Sequence, residues 1–219
     1  MKSSFATLPL ALATLVLAAC ASRPAWRGDE GAAFEILNQS TLALMDIDRR
    51  ALDGPFGSAV RQACGLFVFA GASTGMRASA SAADGGVLLA RDPQGGRWNG
   101  PAFYRLRVVD VDERHRAPVR VWIITVGCES LSRLVAMGPE AGDVDEAIGD
   151  DMRVWTSTPR GVPEASPERV QLRPLPVVAL AYYQAPASLE AILVDRSVRS
   201  EASAEIQSAV ARFVDRGVP

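Results

Sequence analysis

Residues 66–70 read Leu-Phe-Val-Phe-Ala, a continuous apolar run that is typical of a buried β-strand. Three further stretches rich in β-branched and aromatic residues follow it, at Val87–Arg91, Ala102–Val111 and Val119–Val126. A polar, glycine-rich loop at Asp92–Gly100 joins the first two of these. The centre of the chain is therefore predicted to be a succession of strands.

Helical patterns precede these strands. Apolar residues recur at helical spacing across Ala32–Leu52, and a second, short helix is predicted at Phe56–Ala63 after the Gly54-Pro55 break. Beyond the strands, a helix is predicted at Leu131–Met137, and further strands at Met152–Thr158 and Val177–Tyr183.

The C-terminal part returns to helical patterns, with a short helix predicted at Ala187–Val194. A final amphipathic helix carries one apolar stripe, formed by Ala202, Ile206, Ala209, Val210 and Phe213. The order helices, strands, helices predicts an α+β fold: an antiparallel β-sheet or a partly closed barrel, with N-terminal helices and a C-terminal amphipathic helix.

The N-terminus has the organisation of an export signal. Lys2 supplies a positive charge, and residues 6–19 form an uncharged, largely apolar run that is too short to cross a bilayer as a helix. The run ends in Leu17-Ala-Ala-Cys20, which resembles the lipobox of bacterial lipoproteins, whose cysteine thiol receives a lipid before cleavage. The alternative is an ordinary secretory peptide that is cut at a small-residue site, with Cys20 there by chance.

The lipobox resemblance sets the expected organisation and location. Residues 1–19 are the signal peptide, 20–31 a lipidated tether and 32–216 the folded domain. Two acyl chains hold a protein stably on a membrane where one does not. By the sorting habit of such lipoproteins, Ala21 after the cysteine implies the outer membrane, facing the periplasm.

Composition excludes several functional classes. A net charge of −2 gives no long-range attraction to nucleic acid, so no nucleic-acid partner is expected. His115 is the single histidine and no cysteine pair has zinc spacing, so neither a metal nor a cofactor is predicted. After lipidation of Cys20, Cys64 and Cys128 remain. They form either a disulfide, which an oxidising compartment permits, or two buried thiols.

One motif indicates catalysis. Gly71-Ala-Ser-Thr-Gly75 fits the nucleophile elbow of serine hydrolases, with Asp110 or Asp112 and then His115 in the required order. The segment after Gly75 lacks the long apolar helix that backs such an elbow, so a glycine-eased turn between strands is the favoured interpretation. No complete catalytic set is found, and the chain is predicted not to be an enzyme; an esterase that uses Ser73 stays the alternative.

Arginines concentrate around the third strand. Arg105 and Arg107 share one strand face by their two-residue spacing, and Arg114, Arg116 and Arg120 follow. Such a cluster can bind phosphate headgroups. The alternative is a solvated face, in which the interleaved acids Asp110, Asp112 and Glu113 weaken the positive field.

Four stretches together resemble the SYLF domain, a lipid-binding module also described as an actin-binding domain in fungal proteins. They are Ala63–Phe69; Gly85–Arg91 with Gly96–Tyr104; Val154–Gly161; and Ala181–Tyr183 with Ala191–Leu193. The Trp98–Tyr104 part is the most specific, and the likeness spans about residues 32–215. This chain departs from the family in a run rich in Ala and Ser at 72–81, and at Gln184, where a glycine would follow the paired tyrosines.

The resemblance implies a non-enzymatic domain that associates with anionic phospholipid. Phe103, Tyr104, Arg105 and Arg107 are the candidate lipid-binding residues, since they combine apolar insertion with cationic contact; Phe103 as a core residue is the alternative. A structural lipoprotein that binds another envelope protein is the competing expectation.

Overall fold

The computed structural model describes residues 27–71, 85–94, 96–108, 121–138, 150–157, 161–166 and 169–215. Six α-helices lie in these ranges: α1 (Arg27–Asp46), α2 (Pro55–Gln62), α3 (Cys128–Met137), α4 (Pro176–Tyr183), α5 (Leu189–Leu193) and α6 (Ser203–Asp215). A 3-10 helix at Arg49–Asp53 links α1 to α2. The α+β class is confirmed.

The sheet has seven described strands, all paired antiparallel, and it curls into a half-barrel. They are β1 (Gly65–Ala70), β2 (Gly85–Arg91), β3 (Trp98–Val108), β4 (Val121–Val126), β5 (Met152–Ser157), β6 (Glu164–Ala165) and β7 (Val170–Pro174). Their order across the sheet is β6-β5-β4-β1-β2-β3-β7. The apolar strand β1 thus lies at the centre of the sheet, with β3 next to the edge strand β7.

Apolar side chains cover both faces of the sheet, which explains why β1 and β4 read as continuous apolar runs. On the first face, alternate residues such as Leu66, Val68 and Phe103 pack with residues of α1, α2, α4 and α6. On the second face, Phe67 and Tyr104 belong to a separate cluster with residues of α3 and α5. Each strand of the centre therefore supplies two cores by its two-residue alternation.

A close approach inside the sheet requires a glycine at position 86. Gly86 pairs with Phe69 of β1 on one side and with Tyr104 of β3 on the other. A Cβ atom at this position would overlap the Phe69 ring and the Val68 carbonyl. The missing side chain lets the Phe69 ring lie over the β2 backbone.

A disulfide and a carboxylate fix α3 to the sheet. Cys64, which precedes β1, is joined to Cys128, the first residue of α3, and their Cα atoms lie 5.0 Å apart. Asp151 accepts hydrogen bonds from the hydroxyl and the backbone N–H of Ser130 in the first turn of α3. These bonds, the hydroxyl's first, lower the pKa of Asp151 below its usual value. The carboxylate thus stabilises a helix N-terminus whose own cap residue, Gly127, has no side chain.

The structure corrects the type of one predicted element. Val177–Tyr183 is not a strand but lies in α4, with Pro176 at its first position. Its Tyr182 ring packs against Phe34 of α1 and Phe103 of β3, at centroid distances of 5.8 and 5.1 Å. This packing overrides the strand preference of its valines and tyrosines.

The structure also has helical and strand residues beyond the predicted elements. Helix α1 begins at Arg27, so the last five residues of the predicted tether at 20–31 are helical. The chain between β5 and α4 contains β6 and the edge strand β7, where no strand was predicted.

Gln184, which follows the paired tyrosines of α4, has a backbone conformation that residues other than glycine rarely adopt. This residue ends α4 in the left-handed conformation, with φ 54° and ψ 21°, which glycine adopts at little cost. We expect Gln184→Gly to raise the free energy of unfolding by about 0.5–1 kcal/mol, because relief of the left-handed strain outweighs the added freedom of the unfolded chain. Urea unfolding measures this. Gln184→Ala keeps the Cβ atom and should bring no gain, and an equal gain from both variants would show that backbone conformation is not the cause.

Candidate functional site

The structure places Phe103 and Tyr104 in the core, 2% and 1% exposed. Phe103 contacts Tyr182 of α4 on the first face, and Tyr104 lies edge-on to Phe67 on the second, at 5.0 Å between ring centroids. Burial also raises the pKa of Tyr104 well above its usual value, so its hydroxyl stays protonated. Neither side chain is exposed for insertion into lipid, and Phe103 is a core residue as its alternative had it, because β3 is covered on both faces.

Arg105 and Arg107 reach the surface at the end of the same strand. Arg105 is half-buried and Arg107 exposed, and both follow Phe103 at alternate positions on the first face. The antiparallel register sets Arg105 directly opposite Arg173 of β7, and Arg107 opposite Gln171. We call Arg105, Arg107 and Arg173 the basic strip.

The charges of the basic strip have no carboxylate partner within the described ranges, since neither described ion pair includes any of its three arginines. Like charges directly opposite each other across two strands destabilise a sheet. The pair Arg105–Arg173 therefore favours an anion that lies over both guanidinium groups.

Apolar side chains lie exposed on the helices near the strip. Helix α4 begins two residues after β7 ends, and its Val177 and Leu180 are 55% and 36% exposed. Phe34 on the neighbouring helix α1 is 47% exposed. Three large apolar side chains thus remain in solvent on two packed helices, beside a strand pair whose arginines form no ion pair with a described carboxylate.

The predicted lipidation residue Cys20 lies outside the described residues, but chain length limits its distance from the domain. Helix α1 begins seven residues after it. Seven residues span at most about 25 Å even when fully extended. A lipid on Cys20 would therefore keep the start of α1 within about 25 Å of the bilayer surface.

The alternative catalytic residues cannot be placed. Ser73, Asp110, Asp112 and His115 all lie outside the described residues. Among the residues that are described, no group of His, Cys, Asp and Glu could hold a metal ion. No helix in the described part of the chain has both the length and the apolar character needed to cross a membrane.

The sequence reasoning missed Arg173, Val177 and Leu180. The alternation of Val170, Leu172 and Pro174 with polar residues could have indicated β7 and, with it, the outward position of Arg173. For Val177 and Leu180 no such signal exists, because an apolar run of eight residues fits a strand and a buried helix equally well.

No protein-family model, curated protein or solved structure matches this chain. The resemblance to the SYLF domain stays a prediction from its motifs.

Proposed function

We propose that this protein is an envelope lipoprotein, lipidated on Cys20, whose α+β domain binds an anionic phospholipid surface and performs no catalysis. The observation that carries the proposal is the pairing of Arg105 with Arg173 across β3 and β7, extended by Arg107, without a described carboxylate partner. A layer of lipid phosphates supplies several negative charges to such a row at once.

The exposed apolar side chains support a membrane surface as the ligand. Val177 and Leu180 follow directly after β7, and Phe34 lies on a helix packed against α4. Apolar groups that enter the headgroup region, together with cations that remain at the phosphates, are the combination that peripheral membrane helices use. The short chain between Cys20 and α1 adds a high local concentration of lipid.

We expect the double variant Arg105→Ala, Arg107→Ala to bind acidic vesicles more weakly by about 2 kcal/mol, roughly thirtyfold, because each basic residue near an anionic surface contributes about 1 kcal/mol. The measurement is flotation of the chain with vesicles of phosphatidylcholine and phosphatidylglycerol. Residues 1–20 are replaced by a cleavable secretory signal for this purpose, so that no acyl group carries the protein to the vesicle.

The matched control removes two arginines elsewhere. Arg133 on α3 pairs with Glu129, and Arg153 lies exposed on β5; their replacement by Ala changes the net charge by the same amount. An equal loss of vesicle binding in both double variants would show that net charge alone is the cause, and would contradict a specific role of the basic strip. Equal flotation with neutral and acidic vesicles would refute anionic lipid binding, and a single discrete partner in cellular crosslinks would then favour the protein-binding alternative.

A further inference from the structure

A second candidate site lies at the opposite end of β3. A cleft of about 330 Å³ opens between the start of β3, the connection from α5 to α6, and the first turns of α6. Arg97 lies at its rim, and ten residues separate it from Arg107, which corresponds to about 30 Å along a strand. The cleft is therefore distinct from the basic strip, and it contains the Trp98–Gly100 part of the motif that the proposed function leaves unused.

Long-range hydrogen bonds hold the walls of the cleft together. The Asn99 side chain donates to the carbonyl of Leu193 at 3.1 Å, and Gln207 of α6 donates to the carbonyl of Gly100 at 2.8 Å. Gly100 itself has φ +121°, and a Cβ atom there would lie 2.8 Å from the carbonyl oxygen of Leu88. The strand end and the helix are thus fixed relative to each other before any ligand arrives.

The connection between α5 and α6 is held in an unusual conformation. Arg196 has φ +56°, in the left-handed region that residues other than glycine rarely adopt. Its guanidinium pairs with Asp92, and its carbonyl accepts a hydrogen bond from Arg199 Nε at 2.8 Å. Left-handed residues of this kind occur where the surrounding structure enforces them, frequently at ligand sites.

The charge of the lining favours an anion. Three arginines line the cleft, Arg97, Arg196 and Arg199, against a single carboxylate, that of Glu201. Arg196 is neutralised by Asp92, whereas Arg97 and Arg199 form no ion pair with a described carboxylate. Guanidinium groups match carboxylate and phosphate oxygens by paired N–H donors.

Unused hydrogen-bonding groups lie next to these charges. Asn99 is 7% exposed and lines the cleft, and no hydrogen bond among the described residues occupies its side-chain oxygen. Ser200 and Ser208 also line this space. An amide oxygen that is open to the cleft can accept a hydrogen bond from a hydroxyl or amide group of a ligand.

From these observations we infer that the cleft binds a small hydroxylated anion, with a phosphate or carboxylate held by Arg97 and Arg199 and a neighbouring hydroxyl or amide group held by Asn99. A volume near 330 Å³ is at the small end of ligand sites. Glycerol phosphate, free or as the headgroup of a phospholipid, has this chemistry. A free sugar acid has it too.

The test titrates the full-length lipoprotein, held in phosphatidylcholine nanodiscs, with glycerol 3-phosphate and separately with glucuronate at constant ionic strength. Trp98, one of four tryptophans in the chain, lines the cleft, so a ligand bound there is expected to change its contribution to the fluorescence. We expect a saturable change with at least one of the two probes or with phosphatidylglycerol in the nanodisc, and at least a tenfold loss of affinity in Arg97→Gln plus Arg199→Gln. Arg133→Gln plus Arg153→Gln is the matched control, which should bind as the unaltered protein does.

The results distinguish a soluble anion from a lipid headgroup as the ligand of the cleft, and they test the cleft separately from the proposed membrane binding. Binding of either soluble probe that is lost in the cleft variant supports a soluble anion. A fluorescence change only in nanodiscs that contain phosphatidylglycerol, lost in the same variant, supports a headgroup. No response to either probe or to phosphatidylglycerol, or an equal response in the cleft and control variants, overturns the inference. The variant Arg105→Ala plus Arg107→Ala should keep this binding. The cleft can therefore be tested even if the basic strip does not bind membranes.

Discussion

Replacement of Cys20 by Ala is expected to move the protein from the membrane fraction to the soluble periplasm, once the signal peptide is also removed. In the unaltered protein two acyl chains hold the chain at the bilayer, each buried methylene contributing about 0.8 kcal/mol. The basic strip alone supplies about 3 kcal/mol, at roughly 1 kcal/mol for each arginine. Such a contribution does not retain a protein through washing, and it falls further with salt.

The experiment has to separate the lipid from an uncleaved signal peptide. Cys20→Ala blocks lipidation, but residues 1–19 can then remain attached and hold the chain at the membrane themselves. A second version with a cleavable secretory signal in place of residues 1–20 removes both anchors. Fractionation of cells and the intact mass of the N-terminus are the two measurements.

The expected results differ for the three proteins. The unaltered chain stays with membranes and carries an acyl mass on Cys20; the second version is soluble; Cys20→Ala has no acyl mass. If the unaltered chain carried no acyl group, or if the second version sedimented with membranes as fully as the unaltered chain, the lipoprotein proposal would be wrong.

Loss of the Cys64–Cys128 disulfide is expected to lower the free energy of unfolding by about 4 kcal/mol, from the closure entropy of a loop of this length. The two cysteines are 64 residues apart in sequence, and that loop contains β1, β2, β3 and β4. The bond holds the start of α3 beside the start of β1, where Cys64 also donates a backbone hydrogen bond to Val126. Without the bond, the unfolded chain regains the conformational entropy that the cross-link removes, and the folded state becomes less stable relative to it.

Denaturant unfolding of Cys64→Ala plus Cys128→Ala, and of the unaltered protein with and without a reductant, measures the effect. Cys128 is exposed, so a reductant reaches the bond without unfolding the domain. The reduced protein and the double variant should lose similar stability. The reductant added to the double variant is the control and should change nothing. A double variant as stable as the oxidised protein would contradict the expected role of the bond.

Much of the site lies on β3, and the sequence predicted which side chains of this strand share a face but not which of them are buried. Two-residue alternation predicts that Arg105 and Arg107 share a face, and the structure places both on the first face of β3. The same alternation does not predict whether Phe103 and Tyr104 are exposed. Their burial depends on α4 on the first face and on α3 and α5 on the second, and these helices are distant from β3 in sequence. Arg173 completes the strip only because β7 returns to pair with β3 at that register.

The sequence by itself determined the α+β class, the central strands and the terminal helices, because continuous apolar runs and helical spacing are local properties of the chain. Only the tertiary structure decided that Val177–Tyr183 is helical, since an apolar segment of that length takes the conformation in which its tyrosines can pack. Tyr182 packs against α1 and β3, and the Tyr183 hydroxyl donates a hydrogen bond to the carbonyl of Pro101 at 2.9 Å. The tertiary structure alone also brought Arg173 to Arg105 and Gln207 to Gly100. These contacts join residues far apart along the chain, and no local pattern encodes the register or the packing that brings such residues together.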